Sequence, residues 1–203
     1  GFSYGALGMS HHATEDVAIL RALPNLRIFT PCNIQETQEA VVEMVEDPHP
    51  SYIRIDKSMV SSLSSPLSPA SHIRKLRQGK KVAILGYGGV LGEAERAAAE
   101  LAQQDIDCSI YSISSLKPLN SEDLISILES HDSIITLEEH SIIGGLGSIV
   151  SEILIDSDIR PAGFLRLALP DAYSSIVGSQ EYLRSAYGLD GKSIANRIQG
   201  ICQ

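Results

Sequence analysis

From Lys81 to Leu169, short apolar runs alternate with segments whose apolar residues recur at helical spacing, and no other feature limits the fold as much. The runs Lys81–Tyr87, Cys108–Ile113, Ser133–Glu138 and Phe164–Leu169 read as strands. Between them fall helices from about Leu91 to Gln103, from Ser121 to Glu129, and through Ile149, Val150, Ile153 and Leu154. Two more helices follow around Glu181–Tyr187 and Ser193–Ile201. Leu91, Ala94, Ala98 and Leu101 share one helix face, while Glu93, Arg96 and Glu100 point elsewhere. Strands that alternate with amphipathic helices make a mostly parallel sheet with helices on both faces, so the fold class is α/β.

Ahead of this region lies a shorter one with the same grammar. Thr14 is expected to cap a helix through Val17, Ile19 and Leu20 that Pro24 stops, with Glu15 and Asp16 in its first turn. Leu26–Thr30 and Ser51–Ile55 read as strands. Between them, Asn33 followed three residues later by Glu36 resembles a capping box, opening a helix with Val41, Met44 and Val45 on its apolar face. The two regions are separated by Ser58–Ser71, which holds seven serines in fourteen residues together with Pro66 and Pro69. Such composition reads as a linker. The expected division is 1–57, a linker at 58–78, and 79–203.

Sixteen basic against 25 acidic residues give a formal charge of −9, which provides no field to hold nucleic acid or anionic lipid. Apolar runs such as Val82–Leu85 fall far short of the roughly 20 residues that span a bilayer. Neither nucleic acid nor membrane is expected as a partner. Cys32, Cys108 and Cys202 are odd in number and widely spaced, which fits a reducing, cytosolic compartment. The chain opens on Gly1-Phe2-Ser3-Tyr4-Gly5, with neither an initiator Met nor a core strand, and is expected to be a piece of something longer.

Three places could carry chemistry. Gly86-Tyr87-Gly88-Gly89 follows a strand and precedes a helix, but Leu91 stands where a dinucleotide fingerprint needs its third glycine, so a tight turn is the preferred reading. Gly144-Gly145-Leu146-Gly147-Ser148 also opens a helix and could receive an anion on its amides. The adjacent Glu138-Glu139-His140 could do acid–base work, although carboxylates that cap a loop and a histidine that orders it is the simpler reading. His11-His12 with Glu15-Asp16 is the densest titratable cluster. Adjacent histidines diverge, so one facing a ligand and the other facing protein or solvent is preferred over a metal site. Arg54 and Lys57, at a strand end, are available anchors for a phosphorylated substrate.

Ser10-His11-His12-Ala13-Thr14-Glu15-Asp16, then Leu20-Arg21-Ala22-Leu23-Pro24-Asn25-Leu26 and Pro31, resembles the second half of the transketolase pyrimidine-binding domain. Glu138-Glu139-His140-Ser141-Ile142-Ile143-Gly144-Gly145-Leu146-Gly147-Ser148 is similar to the signature of that family's C-terminal domain, especially in enzymes encoded as two halves. The two stretches are collinear with the family and span nearly the whole chain. The resemblance implies a partial pyrimidine-binding domain at 1–57, followed by a transketolase-like C-terminal domain at 79–203.

It further implies thiamine diphosphate with a divalent cation, Mg²⁺ or Ca²⁺, and transfer of two-carbon ketol units between sugar phosphates. His11 matches the family histidine beside the reactive carbon of the cofactor, with a role in orienting substrate and in proton transfer. Lys57 falls where an arginine of the family holds the acceptor phosphate, with Arg54 close by; a lysine supplies charge without a bidentate fork. Leu7 replaces an aspartate that reads a substrate hydroxyl in many single-chain members. The family's Gly-Asp-Gly…Asn motif and the glutamate that drives aminopyrimidine tautomerisation have no counterpart here. The implied partners are therefore an N-terminal transketolase subunit or domain and a second copy of the assembly, and the chain alone is expected to be inactive. Within the same chemistry, 1-deoxyxylulose-5-phosphate synthase is the close alternative. The β subunit of a 2-oxo acid dehydrogenase is weaker, because its segment around the histidine reads differently. A non-catalytic assembly module is the alternative from a different class.

Overall fold

The computed structural model describes residues 1–58, 60 and 71–202. The front region opens with a 3-10 turn at Phe2–Leu7 and a short helix α1, Met9–His12. Ala13, in the left-handed conformation at φ 46°, separates it from α2, Asp16–Arg21. Thr14 is therefore not the cap expected for this helix: Glu15 takes that position, with no side-chain cap of its own. Strand β1, Arg27–Phe29, leads to α3, Ile34–Glu46, and then to β2, Ser51–Ile53, which runs parallel to β1. The Asn33 cap is as expected, its side chain accepting from the Glu36 amide at 2.9 Å. Glu36 reaches back one residue further than a standard capping box, to the Cys32 amide.

Most of the stretch read as a linker lies outside the described residues. Its end does not read as linker: Ile73–Arg77 is strand β3. Next come β4, Val82–Gly86; α4, Leu91–Ala102; β5, Cys108–Ile113; and β6, Ser115–Lys117. The chain continues through α5, Ser121–Glu129; β7, Ser133–Ser141; α6, Leu146–Asp156; β8, Gly163–Leu169; α7, Gln180–Ala186; and α8, Gly191–Cys202. The five-stranded sheet has the order β3-β5-β4-β7-β8, parallel throughout except for β3, which pairs antiparallel with β5. None of the described helices is long and apolar enough to cross a membrane.

Strand periodicity divides the core. Val82 and Ile84 of β4 face a cluster with Leu91, Leu101, Ile194 and Ile198 from α4 and α8. Ala83 and Leu85 face the opposite cluster, with Leu124, Leu146 and Val150 from α5 and α6. Each fully buried Leu or Ile in these clusters contributes roughly 1.5–3 kcal/mol of burial free energy. The second cluster also takes Val17 and Ile28 from the front region.

Strand β6 carries that union further. It leaves the large sheet and pairs antiparallel with β1, making a three-stranded sheet in the order β2-β1-β6. The sequence reading contains no strand at β6 and draws the front region as a separate unit. Three residues have no pattern long enough to register, and the pairing joins segments nearly ninety residues apart.

Candidate functional site

The densest titratable cluster of the sequence lies beside a cavity of about 230 Å³ whose wall includes His11, Ala13, Asp16, Tyr52, Arg54 and Asp56. The two histidines diverge, as adjacent side chains on one helical turn must. His12 is buried, its Nε2 3.1 Å from the Gly5 carbonyl and its ring edge-on to Phe2 at 5.2 Å. His11 is exposed on the cavity wall, with only the neighbouring Ser10 hydroxyl 3.0 Å from its Nδ1.

Arg54 reaches the same cavity but is committed within the protein. Its Nε donates to Asp16 Oδ2 at 2.8 Å, its Nη2 donates to the Glu139 carbonyl at 2.9 Å, and its guanidinium lies 5.6 Å from the Tyr87 ring centre. The Tyr52 hydroxyl donates to the same Asp16 oxygen at 2.7 Å. Burial pushes the Asp16 carboxyl up, but Arg54 and then Tyr52 outweigh it and hold it below the usual carboxylate range. Burial followed by the Asp16 charge pushes the Tyr52 phenol up. Lys57 is exposed beside the cavity rather than in its wall, with Nζ 4.0 Å from the ring centre of Tyr4, a lining residue. The structure thus brings His11 and Arg54 to one cavity and leaves Lys57 at its rim. Sequence reading placed Asp16 only in a helical first turn and gave Tyr52 no role. Their shared contact with Arg54 spans nearly forty residues and leaves no local signal.

Both glycine-rich turns are filled by carboxylates of the chain itself. Glu138, fully buried, accepts from the amides of Leu146 and Gly147 at 2.8 and 2.9 Å and from the Tyr87 hydroxyl at 3.2 Å. A Cβ on Gly145 would stand 2.1 Å from its Oε2, so no anion enters here while Glu138 holds the helix start. Burial raises the Glu138 carboxyl above the usual range, although these three donors pull the other way. Asp56 fills the other turn, accepting from the Gly89 amide at 3.3 Å. The tight-turn reading of Gly86–Gly89 and the capping reading of Glu138 therefore describe the structure. Glu139 accepts from the Phe2 amide at 2.7 Å and, through a short contact, from Arg184 Nε. His140 is buried between Ser141 and Ala18.

Among the described residues, no group of three or more His, Cys, Asp or Glu side chains could hold a metal ion. They do not fit the cation of the implied cofactor. What this chain offers a cofactor or a sugar is the exposed imidazole of His11, with Lys57 beside it.

Two family models match the chain: the transketolase pyrimidine-binding domain over residues 1–62 and the transketolase C-terminal domain over 71–194. One of the two polypeptides of the apulose-4-phosphate transketolase of Actinobacillus succinogenes is 29% identical over 97% of this chain and 63% of its own length. The 1-deoxy-D-xylulose-5-phosphate synthase 2 of Geobacter sulfurreducens is 32% identical over 96% of this chain and 32% of its own. A solved split-gene transketolase chain, in an inactive β4 tetramer, superposes with a TM-score of 0.83 at 32% identity, over 96% of this chain and 63% of that one. The chain thus spans about three-fifths of the subunit-type relatives it matches. With its C-terminal-domain model covering more than half of the residues and this fold behind it, the chain belongs to the transketolase family.

Proposed function

We propose that this chain is the C-terminal part, or subunit, of a thiamine-diphosphate-dependent transketolase that moves two-carbon ketol units between sugar phosphates in cytoplasmic carbohydrate metabolism. An N-terminal subunit or domain completes it, within a dimer of the whole assembly. The observation that carries the reading is His11 standing free on a cavity wall whose other ionisable side chains, Asp16, Tyr52 and Arg54, are locked to one another.

Thiamine diphosphate, when bound, supplies the nucleophilic carbon and the electron sink of this chemistry. His11, with an ordinary imidazole's capacity to give or take a proton near neutral pH, hydrogen-bonds the donor sugar's oxygens and relays a proton as the carbon–carbon bond is made or broken. Lys57 attracts the phosphate as a point charge, leaving its orientation freer than an arginine fork would. Arg54, held by Asp16 and Glu139, adds positive charge to the wall and secondary support for the phosphate.

The test is reconstitution with the N-terminal polypeptide and thiamine diphosphate, followed by a coupled ketol-transfer assay. His11→Ala is expected to lower kcat by about 10²-fold or more. Lys57→Ala is expected to raise KM for the sugar phosphate about tenfold with kcat nearly kept. Thiamine-dependent turnover by the 203-residue chain alone would overturn the dependence on a partner. The synthase relative supports a second reading, 1-deoxyxylulose-5-phosphate synthesis. Carbon dioxide release from pyruvate with glyceraldehyde 3-phosphate, without ketol transfer between sugars, would establish that reading instead.

A further inference from the structure

Consecutive residues at the end of β7 grip the segment that carries His11. The Ser141 amide donates to the Thr14 carbonyl at 2.7 Å, the Ala18 amide donates to His140 Nε2 at 3.2 Å, and Arg54 donates to the Glu139 carbonyl at 2.9 Å. His140 is fully buried, and its Nδ1 lies 2.7 Å from the Ser141 carbonyl. A carbonyl only accepts and an amide N–H only donates, so Nδ1 carries the proton and Nε2 offers a lone pair. The Ala18 amide belongs to the first turn of α2, where no intrahelical acceptor exists, and Glu15 gives that turn no side-chain cap. Gly144, at φ +77°, comes so close to α2 that a Cβ there would lie 2.6 Å from the Ala18 Cβ. Ala13 alone, in its left-handed turn, stands between Thr14 and the short helix α1 that bears His11.

We propose that His140 is a positioning residue: its neutral ring caps α2 from the opposite unit and thereby fixes the direction in which α1 presents His11 to the cavity. The proposal rests on the role given to His11 above and assigns β7 of the C-terminal domain a part in building that site. The charged groups facing the ring are Asp16 from α2, its Oδ1 3.9 Å from Nε2; Glu138 from β7, its Oε2 4.0 Å from Nδ1; and Arg54 from beyond β2. Burial, opposed by the Ser141 carbonyl and Asp16, holds the imidazole below its ordinary 6.5. The sign follows: the unfolded chain binds the proton more readily, so the cap is present above that value and lost as pH falls below it. Protonation removes the lone pair that receives Ala18.

Hydrogen exchange on the complete protein with its N-terminal partner tests this, using wild type, His140→Ala and His140→Gln. A glutamine amide can offer an oxygen to Ala18 and an N–H to Ser141. The expected result is exchange about tenfold faster over residues 9–21 in His140→Ala, with β4 and β5 unchanged and glutamine restoring the wild-type rate. In the same variants, kcat for ketol transfer falls about tenfold with KM within about twofold, and glutamine rescues it. In wild type, exchange over residues 9–21, corrected for intrinsic rate, quickens as pH falls below 6.5, and His140→Gln abolishes that step. Unchanged exchange in His140→Ala, or glutamine no better than alanine, overturns the proposal. If His140→Ala does not fold, the wild-type pH series decides: quickening confined to residues 9–21 supports it, and none, or a uniform rise, sinks it. If the wild-type complex transfers no ketol group, the function assigned to His11 falls, and the exchange pattern alone decides the positioning role.

Discussion

Buried carboxylates do much of the organising in this chain, and each works through donors it meets only in the folded state. Glu138 satisfies two of the amides that a helix start leaves unpaired, so Glu138→Leu strands the Leu146 and Gly147 N–H groups and the Tyr87 hydroxyl together. The expected loss is at least about 2 kcal/mol, read from the midpoint of urea unfolding. Asp16 and Asp56 give the acid behaviour. Burial raises each carboxyl, but Arg54 and Tyr52 at Asp16, and Gln180, Ser3 and Ser58 with Arg184 at Asp56, bring both below their ordinary 3.8. Groups lowered in this way stabilise the fold above that value and lose their contribution as the pH falls through their folded values. The Asp16→Asn, Asp56→Asn double variant should therefore show a shallower decline in stability between about pH 5 and pH 2 than wild type. Urea titrations at stepped pH measure it, and parallel declines would refute the assignment.

At the scale of elements, α3 shows where hydrophobic pattern and packing part company. Val41, Met44 and Val45 form the apolar face expected from the sequence, yet Val41 and Val45 are 47% and 75% exposed. The helix instead buries Glu36 and Ala40. Glu36 is accommodated because the Cys32 amide and the Ser112 hydroxyl donate to it at 2.9 Å and Arg74 Nε stands 3.4 Å from its other oxygen. Val45→Lys is accordingly expected to leave the chain's thermal midpoint within the range of about ±0.5 kcal/mol typical of exposed sites. Asn33→Ala, which removes the acceptor for the Glu36 amide, should cost about 1 kcal/mol in the same measurement.

Across the whole molecule, the front region and the larger sheet are joined by charge as well as by strand β6. Arg184 and Glu139, both almost fully buried, pair where the Phe2 amide, Gln180 and the Ser58 hydroxyl also converge. Removing one member of such a pair leaves an uncompensated buried charge. Arg184→Ala should thus lower unfolding stability by about 3–5 kcal/mol while leaving the pattern of strands intact by circular dichroism. A loss below about 1 kcal/mol would show that water reaches Glu139 and that the clasp is weak.

The alternation from Lys81 to Leu169 determined the larger sheet, because periods of two and of about three and a half are local properties that repeated burial enforces. The strands β4, β5, β7 and β8 and the helices between them follow it, with ends shifted by a residue or two, apart from β7, which runs on to Ser141. The Asn33 cap, the tight turn after β4 and the divergence of His11 from His12 were legible for the same reason: neighbouring residues decide them. Strand β6 joining β1, Arg54 turned from substrate anchor to internal brace, and His140 meeting Ala18 belonged to the tertiary structure alone. Each is a contact between segments about forty to more than a hundred residues apart, and a donor's choice among distant acceptors is made only once the chain has excluded water from between them.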